Sequence, residues 1–377
     1  MGSVEPYSTA AGRRYRVRWR TPDHKSRQKR GFERKVDAER YLRSVEGAID
    51  RGEYVDPTDS RSTIASLGAS WLAGREHVMK PSSYRPLESA WRVHVEPHWG
   101  GREVGGIRTS EVQAWVGDLA RPNPKAASAT SILRAYGVLA GILDDAVRDR
   151  RLTANPARGI TLPRKSPKPK PYLTHAQVEQ LALASAYPTL VRFLAYTGLR
   201  WGEATGLRLR NVDTLRRRVH VEENAVMVGA VIEVGTPKSH ASRSVPFPQF
   251  LALEIGRLCE GKARDGLLFG DGHTHMRLPN SRDGWFAAAV KRAQSSDPAM
   301  PRVTPHDLRH TAASLAVSSG ANVKAVQRML GHASAAMTLD VYSDLFDDDL
   351  DAVAGALDAA RSAASVANPW PNAAVVE

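Results

Sequence analysis

Residues 304–314 read Thr-Pro-His-Asp-Leu-Arg-His-Thr-Ala-Ala-Ser, and their spacing decides how the surrounding region folds. Pro305 suits a first helical turn and Gly320 a C-terminal stop. The stretch is therefore expected as a helix carrying His306 and Arg309, three residues apart, on one face. An imidazole and a guanidinium so placed can reach one phosphate. Alone, the pair is equally what a solvated helix face would carry, but two other stretches give it company. Upstream, Pro-Thr-Leu-Val-Arg-Phe-Leu-Ala-Tyr-Thr at 188–197 is a mostly apolar helix closed by Gly198, and Arg200 follows in the turn before Gly-Glu-Ala-Thr. A turn holds an arginine by backbone geometry, and Glu203 is the expected orienting partner of its guanidinium; the plain alternative is a surface ion pair. Downstream, Leu-Gly-His at 330–332 precedes Tyr342 by ten residues in a stretch of helical periodicity. By itself that tyrosine is most simply a core or interface aromatic.

Between these stretches lie Arg-Val-His-Val-Glu (218–222), Ala-Val-Ile-Glu-Val (230–234) and Ser-Arg-Ser-Val-Pro-Phe (242–247), short alternating runs separated by Gly, Pro and Ser. They predict a small antiparallel sheet. Lys238 falls in the turn between the second and third runs. A lysine at a hairpin tip is ordinarily just solubilising, but beside DNA it can protonate a leaving oxygen.

Taken together, these stretches resemble the tyrosine recombinase (phage integrase) family. Tyr-Thr-Gly-Leu-Arg-Trp-Gly-Glu at 196–203, the 304–314 segment, and Leu-Gly-His through Asp-Val-Tyr-Ser at 330–343 match its box motifs in order, type and spacing, over about residues 172–345. The resemblance implies that Arg200, Lys238, His306, Arg309 and His332 assemble the site and that Tyr342 is the nucleophile. None of the six positions departs from the pattern, although hairpin lysines vary in register across the family. On this reading Tyr342 attacks a scissile phosphate in line, Arg200 and Arg309 grip the non-bridging oxygens, and His332 adds a hydrogen bond. His306 accepts or positions the phenol proton, while Lys238 protonates the departing 5′ hydroxyl. A phosphotyrosyl ester retains the energy of the broken bond, so rejoining needs no ATP.

No cofactor is expected. The motif region lacks an Asp/Glu cluster of the kind that holds two Mg²⁺ ions, and the chain has no Cys-x-x-Cys or His-Glu-x-x-His spacing for zinc. His273 and His275 read as an exposed loop pair. The formal net charge of +13 over 377 residues points to a polyanionic partner, which on charge alone is equally ribosomal RNA or a membrane surface. The lone cysteine, Cys259, excludes an internal disulfide and fits a reducing cytoplasm. Neither a signal peptide nor an apolar run of bilayer length is present, so a soluble protein is expected.

The expected class is α+β and multidomain: a small N-terminal sheet with a helix, a helical domain, and a mostly α catalytic domain with a small antiparallel sheet. Residues 1–57 open with Arg-Tyr-Arg-Val-Arg-Trp-Arg, where Tyr15, Val17 and Trp19 alternate with Arg14, Arg16, Arg18 and Arg20. A second basic strand at 25–32 and a helix from Lys35 complete a unit similar to the arm-type DNA-binding domain of integrases; its plain alternative is an ordinary basic surface. Residues 62–160 read as helices behind Ser or Thr caps, with Trp71, Trp115, Leu133, Leu139 and Ile142 as core. By resemblance this is the core-binding domain, and Lys80, Ser82, Ser83, Tyr84, Arg85 and Arg92 are backbone-contact candidates. Residues 161–171 form a Pro-rich linker whose Arg164, Lys165, Lys168 and Lys170 suit a phosphate track or an inert spacer. Thr-His-Ala-Gln at 174–177 offers a capping box that opens the catalytic domain, 172–377.

Past Tyr342, Asp344, Asp347, Asp348, Asp349 and Asp351 would repel DNA, and Leu345, Phe346, Leu350, Val353 and Leu357 supply an apolar stripe. That tail docks either on a neighbouring protomer or on its own domain; residues 367–377 are expected to fray. The resemblance implies a homotetramer on double-stranded DNA, engaging core-type and arm-type sites through a Holliday junction, with a host DNA-bending protein and an excision factor as accessory partners. Three activities stay open at this stage: a site-specific integrase, a type IB topoisomerase-like strand transferase, and a non-catalytic DNA-binding regulator.

Overall fold

The computed structural model describes residues 2–10, 12–122, 126–165, 171–236, 242–342, 355 and 357–362. The chain divides into two compact units, 1–167 and 168–377, and the division falls inside the Pro- and Lys-rich stretch.

In the first unit, β1 (Ser3–Thr9), β2 (Gly12–Arg20) and β3 (Ser26–Phe32) form an antiparallel sheet in that order. β1 is an addition to the two basic strands expected from sequence. It pairs Val4 with Val17 and Tyr7 with Arg14, and its Pro6 is tolerable because the strand lies at an edge. Helix α1 (Lys35–Asp50) sets Ala38 and Val45 against Val17 and Trp19, and the Trp19 indole N–H donates to Tyr54 Oη at 2.9 Å. The alternation in β2 is as read, but its arginines are not a bare cationic stripe. Arg14 pairs with Glu33, Arg16 with Glu5 at 2.6 Å, and Arg18 with the same Glu5 at 3.6 Å. Arg20 donates to the His24 carbonyl at 3.1 Å.

The helical part comprises α2 (Ile64–Glu76), α3 (Pro81–Ala90), one wide π-type turn at Trp91–Val95, α4 (Glu96–Trp99), α5 (Thr109–Ala120) and α6 (Ala129–Arg148). Trp71, Trp91, Trp99 and Trp115 pack with Leu139 and Ile142 in one core. Gly68 is needed there, since a Cβ would stand 2.1 Å from the Trp91 ring. Leu133 is half-buried rather than core, because α6 turns Ile132, Ala135, Leu139 and Ile142 inward, a phase one residue earlier. Thr63 caps α2 as the sequence suggests, while α6 is capped by Ser128, just before the Ala-Thr-Ser stretch expected to cap it. In α5 the cap position is Arg108, whose backbone N–H donates to Glu111 at 2.9 Å. Arg164 and Lys165 are exposed, without regular structure; Lys168 and Lys170 lie outside the described residues.

The second unit opens with α7 (His175–Leu183), where Thr174 and Gln177 form the expected capping box. It continues through α8 (Pro188–Thr197), α9 (Trp201–Thr205), β4 (Val212–Asp213), β5 (Arg218–Val221), β6 (Asn224–Val228), β7 (Val231–Gly235), β8 (Arg243–Pro246), α10 (Ala252–Cys259), α11 (Trp285–Ser296), α12 (Asp307–Ser318), α13 (Val323–Leu330) and α14 (Ala335–Tyr342). Strands β4, β5 and β8 form one antiparallel sheet, and β6 and β7 a separate hairpin. Phe193, Leu194, Val219, Val245, Phe286 and Leu308 share the main core. The fold is α+β, and within the second unit the small sheets accompany a helical core. His275 is half-buried, and its Nε2 is shut away from solvent, against the expected exposure of the 273–275 pair. Among the described residues no helix is long and apolar enough to cross a membrane.

Candidate active site

The chain bends sharply where α8 ends. Gly198 takes a left-handed conformation at φ 64°, and a Cβ there would meet Leu330 at 2.7 Å. Arg200 follows at the N-cap of α9, its backbone N–H donating to Glu203 Oε2 at 2.9 Å and its guanidinium to Oε1 at 2.7 Å. Glu203 has no exposed side-chain surface and is also held by Arg243, whose two terminal nitrogens reach it at 3.1 and 2.6 Å. Arg243 comes from β8 and further donates to the Met329 carbonyl at 3.3 Å. Burial raises the Glu203 carboxyl, but the hydrogen bonds and charge of Arg243, followed by Arg200, override it and bring the pKa to about 2. The carboxylate is thus ionised at neutral pH and fixes both cations.

Helix α12 begins just after His306, so His306 and Arg309 sit at its N-terminal turn. Arg309 is 4% exposed. Its two terminal nitrogens donate at 2.6 Å each to the carbonyls of Gly198 and Leu330, which are the C-terminal ends of α8 and α13. A cation here meets the negative ends of two helix dipoles. Burial, then the Arg200 charge, lowers its pKa to about 10, which leaves it cationic at neutral pH. Burial, then Arg309, lowers His306 as well, favouring a neutral imidazole.

The third piece is α13, left-handed Gly331 at φ 67°, His332, and α14 ending on Tyr342. Tyr342 is 1% exposed and packs among Ala313, Val317, Val326 and Leu330. Its ring lies parallel to His332, with 6.4 Å between centroids, and His332 Nδ1 contacts Thr338 Oγ1 at 3.0 Å. The phenol oxygen lies 2.8 Å from His310 Nδ1, and the His310 ring meets His306 edge-on at 5.4 Å. Burial pushes the phenol up to about 12, partly opposed by Arg309. Burial and the Arg309 and Arg200 charges push His332 down to about 4.

Arg200, Glu203, His306, Arg309, His332 and Tyr342 therefore converge in the second unit, whereas Lys238 lies outside the described residues. Of the first-unit candidates, Lys80, Arg85 and Arg92 are exposed on or beside α3, with Arg92 paired to Glu88 at 2.9 Å. Sequence reading missed His310 and Arg243. The signal for His310 was available, since it stands one turn after His306 on the same helix face. Arg243 looked like any strand arginine. Its partner Glu203 is 40 residues away, and only the fold joins them.

The model of the phage integrase family matches residues 171–348. A transposase from transposon Tn916 of Enterococcus faecalis is 31% identical, over 78% of this chain and 77% of the relative. An integrase of Mycobacterium phage D29 is 26% identical, over 82% of this chain and 84% of its own. Among solved structures, a Tn1549 transposon integrase in complex with transposon right-end DNA aligns with TM-score 0.65 and 23% identity, over 78% of this chain and all of that one. A lambda integrase tetramer bound to a Holliday junction aligns with TM-score 0.56 and 15% identity, covering 87% and 95%.

Proposed function

This chain belongs to the phage integrase family of tyrosine recombinases and is a site-specific DNA recombinase, and we propose that Tyr342 is its nucleophile, acting on a phosphate gripped by Arg200 and Arg309. What supports this reading is one geometric observation. His310 and His332 stand against a single buried phenol within electrostatic reach of Arg309, and Arg200 and His306 lie in turn within electrostatic reach of Arg309. The attacking oxygen forms the P–O bond, the 5′ oxygen leaves with a proton from Lys238, and the paired arginines stabilise the pentacoordinate charge. Rejoining runs the same path backwards. His332, driven neutral, offers a hydrogen bond to a phosphate oxygen instead of a competing positive charge.

In this reading residues 1–57 bind arm-type sites, 62–160 and 172–377 engage the core site, and 161–171 join them. Four copies act on one junction, a host DNA-bending protein and an excision factor set direction, and the work takes place on DNA in the host cytoplasm. Integration or excision of phage or mobile-element DNA is the overall outcome. The test is to mix the protein with a nicked, randomised duplex library, isolate covalent protein–DNA adducts, and sequence them. A recurrent site joined at its 3′ phosphate supports the reading. Adducts scattered without sequence preference would instead favour a type IB topoisomerase-like activity, and retained binding with no adduct a DNA-binding regulator.

A further inference from the structure

We propose that His310 is the base that takes the Tyr342 proton during strand cleavage and gives it back during rejoining. The inference rests on the reading of Tyr342 as nucleophile and assigns that step a partner beyond the six motif residues. The geometry is direct: His310 Nδ1 stands 2.8 Å from Tyr342 Oη, a hydrogen-bond distance to the atom that must lose its proton. In the tautomer protonated on Nε2, Nδ1 accepts from the phenol.

The other two imidazoles are placed differently. His306 meets the edge of His310 at 5.4 Å between ring centroids, so it backs the base and is left for the phosphate. His332 lies parallel to the phenol ring, and its Nδ1 is engaged by Thr338 Oγ1. Helix geometry explains the division. His306 and His310 are four residues apart and share a face of α12, and that helix packs on α13, next to α14 and its terminal Tyr342.

The need for a base follows from the site itself. With burial pushing the phenol to about 12, on the order of one molecule in 10⁵ carries a phenolate at pH 7. In the step, the O–H bond of Tyr342 breaks and its proton passes to Nδ1, giving an imidazolium. The phenol oxygen bonds to phosphorus, the P–O5′ bond breaks, and the 5′ oxygen takes a proton from the general acid. In rejoining, the 5′ hydroxyl gives its proton back to the now neutral general acid as its oxygen bonds to phosphorus, the phosphotyrosyl P–O bond breaks, and the imidazolium returns its proton to Oη. No oxidant or co-reactant is required.

The test uses the full-length protein and the duplex recovered from the randomised library, made both with a normal phosphodiester and with a 5′-bridging phosphorothiolate, whose sulfur leaves without general-acid help. His310→Asn keeps a hydrogen-bonding group near the Nδ1 position, and with it the fold, but cannot hold the proton; His310→Ala removes both. Single-turnover adduct formation by both variants should fall by about 10²–10⁴-fold on both substrates, with DNA binding retained. Lys238→Ala should recover on the phosphorothiolate. Cleavage by His310→Asn within about threefold of the parent would show that only a hydrogen bond is needed and overturn the proposal, as would rescue of that variant by the sulfur leaving group. Adduct formation by Tyr342→Phe would remove the nucleophile assignment itself, an outcome separable from the His310 result.

Discussion

Arg200 and Arg309 carry the same charge but are held differently, so removing each should read out differently. Arg309 is the sealed one, bonded to the Gly198 and Leu330 carbonyls. Truncating it leaves two buried acceptors unpaired, at about 1–3 kcal/mol each. Arg309→Ala should therefore lose on the order of 2–6 kcal/mol in urea unfolding and at least about 100-fold in cleavage rate. Arg200 is partly exposed, and its partner Glu203 keeps Arg243 when Arg200 is gone. Arg200→Ala should match the kinetic loss while unfolding close to the parent. Equal unfolding midpoints for the two variants would contradict the distinction. Glu203→Ala is the converse case: it strips the shared anion from two cations, one of them almost fully buried, and should cost about 3–5 kcal/mol. Recovery of stability by pairing it with an apolar replacement of Arg243 would confirm that the penalty is the stranded charge.

At the level of elements, the site is made of helix ends. Gly198 and Gly331 both stop a helix in the left-handed conformation, and each is followed within two positions by a residue assigned to the proposed site, Arg200 and His332. At Gly331 a side chain meets two obstacles, the φ of 67° and the Arg243 guanidinium at about 2.9–3.0 Å. Gly331→Ala should destabilise by roughly 1–3 kcal/mol and slow cleavage by displacing Arg243 from Glu203. Normal activity at normal stability would show that β8 is free to shift. Gly198 and the Thr174–Gln177 capping box were legible because a left-handed turn and an N-cap have local sequence rules, whereas Gly331 stood out only as part of the Leu-Gly-His motif. Helix α3 was not, since Pro86 within it and the wide turn after it interrupt the periodicity that announces a helix. β1 escaped for a related reason: Pro6 weakens a strand signal everywhere except at an edge, and edge position belongs to the sheet.

Across the whole molecule, the buried site should make stability fall in acid. The His332 folded pKa of about 4 lies below its ordinary 6.5, so the stability it supports is full above pH 6.5 and is lost as pH falls toward 4. Glu203 behaves likewise lower down, present above 4.5 and lost as pH falls toward about 2. Melting temperature measured from pH 8 to 3 should decline in these two windows, and His332→Asn should flatten the upper one; an unchanged profile in that variant would mean that His332 is not the group titrating. The C-terminal stripe of Leu345, Phe346, Leu350 and Val353 lies outside the described residues, and Leu357 is exposed. What the sequence determined alone was the order, type and spacing of the motif residues, and hence the family and its chemistry, because those depend on local turns and on residue identity. Which imidazole meets the phenol, and that Glu203 shares its charge with Arg243, was decided only by the tertiary structure. Those contacts join β8, α9, α12 and α14, and a hydrogen bond between distant segments leaves no periodicity in the chain that makes it.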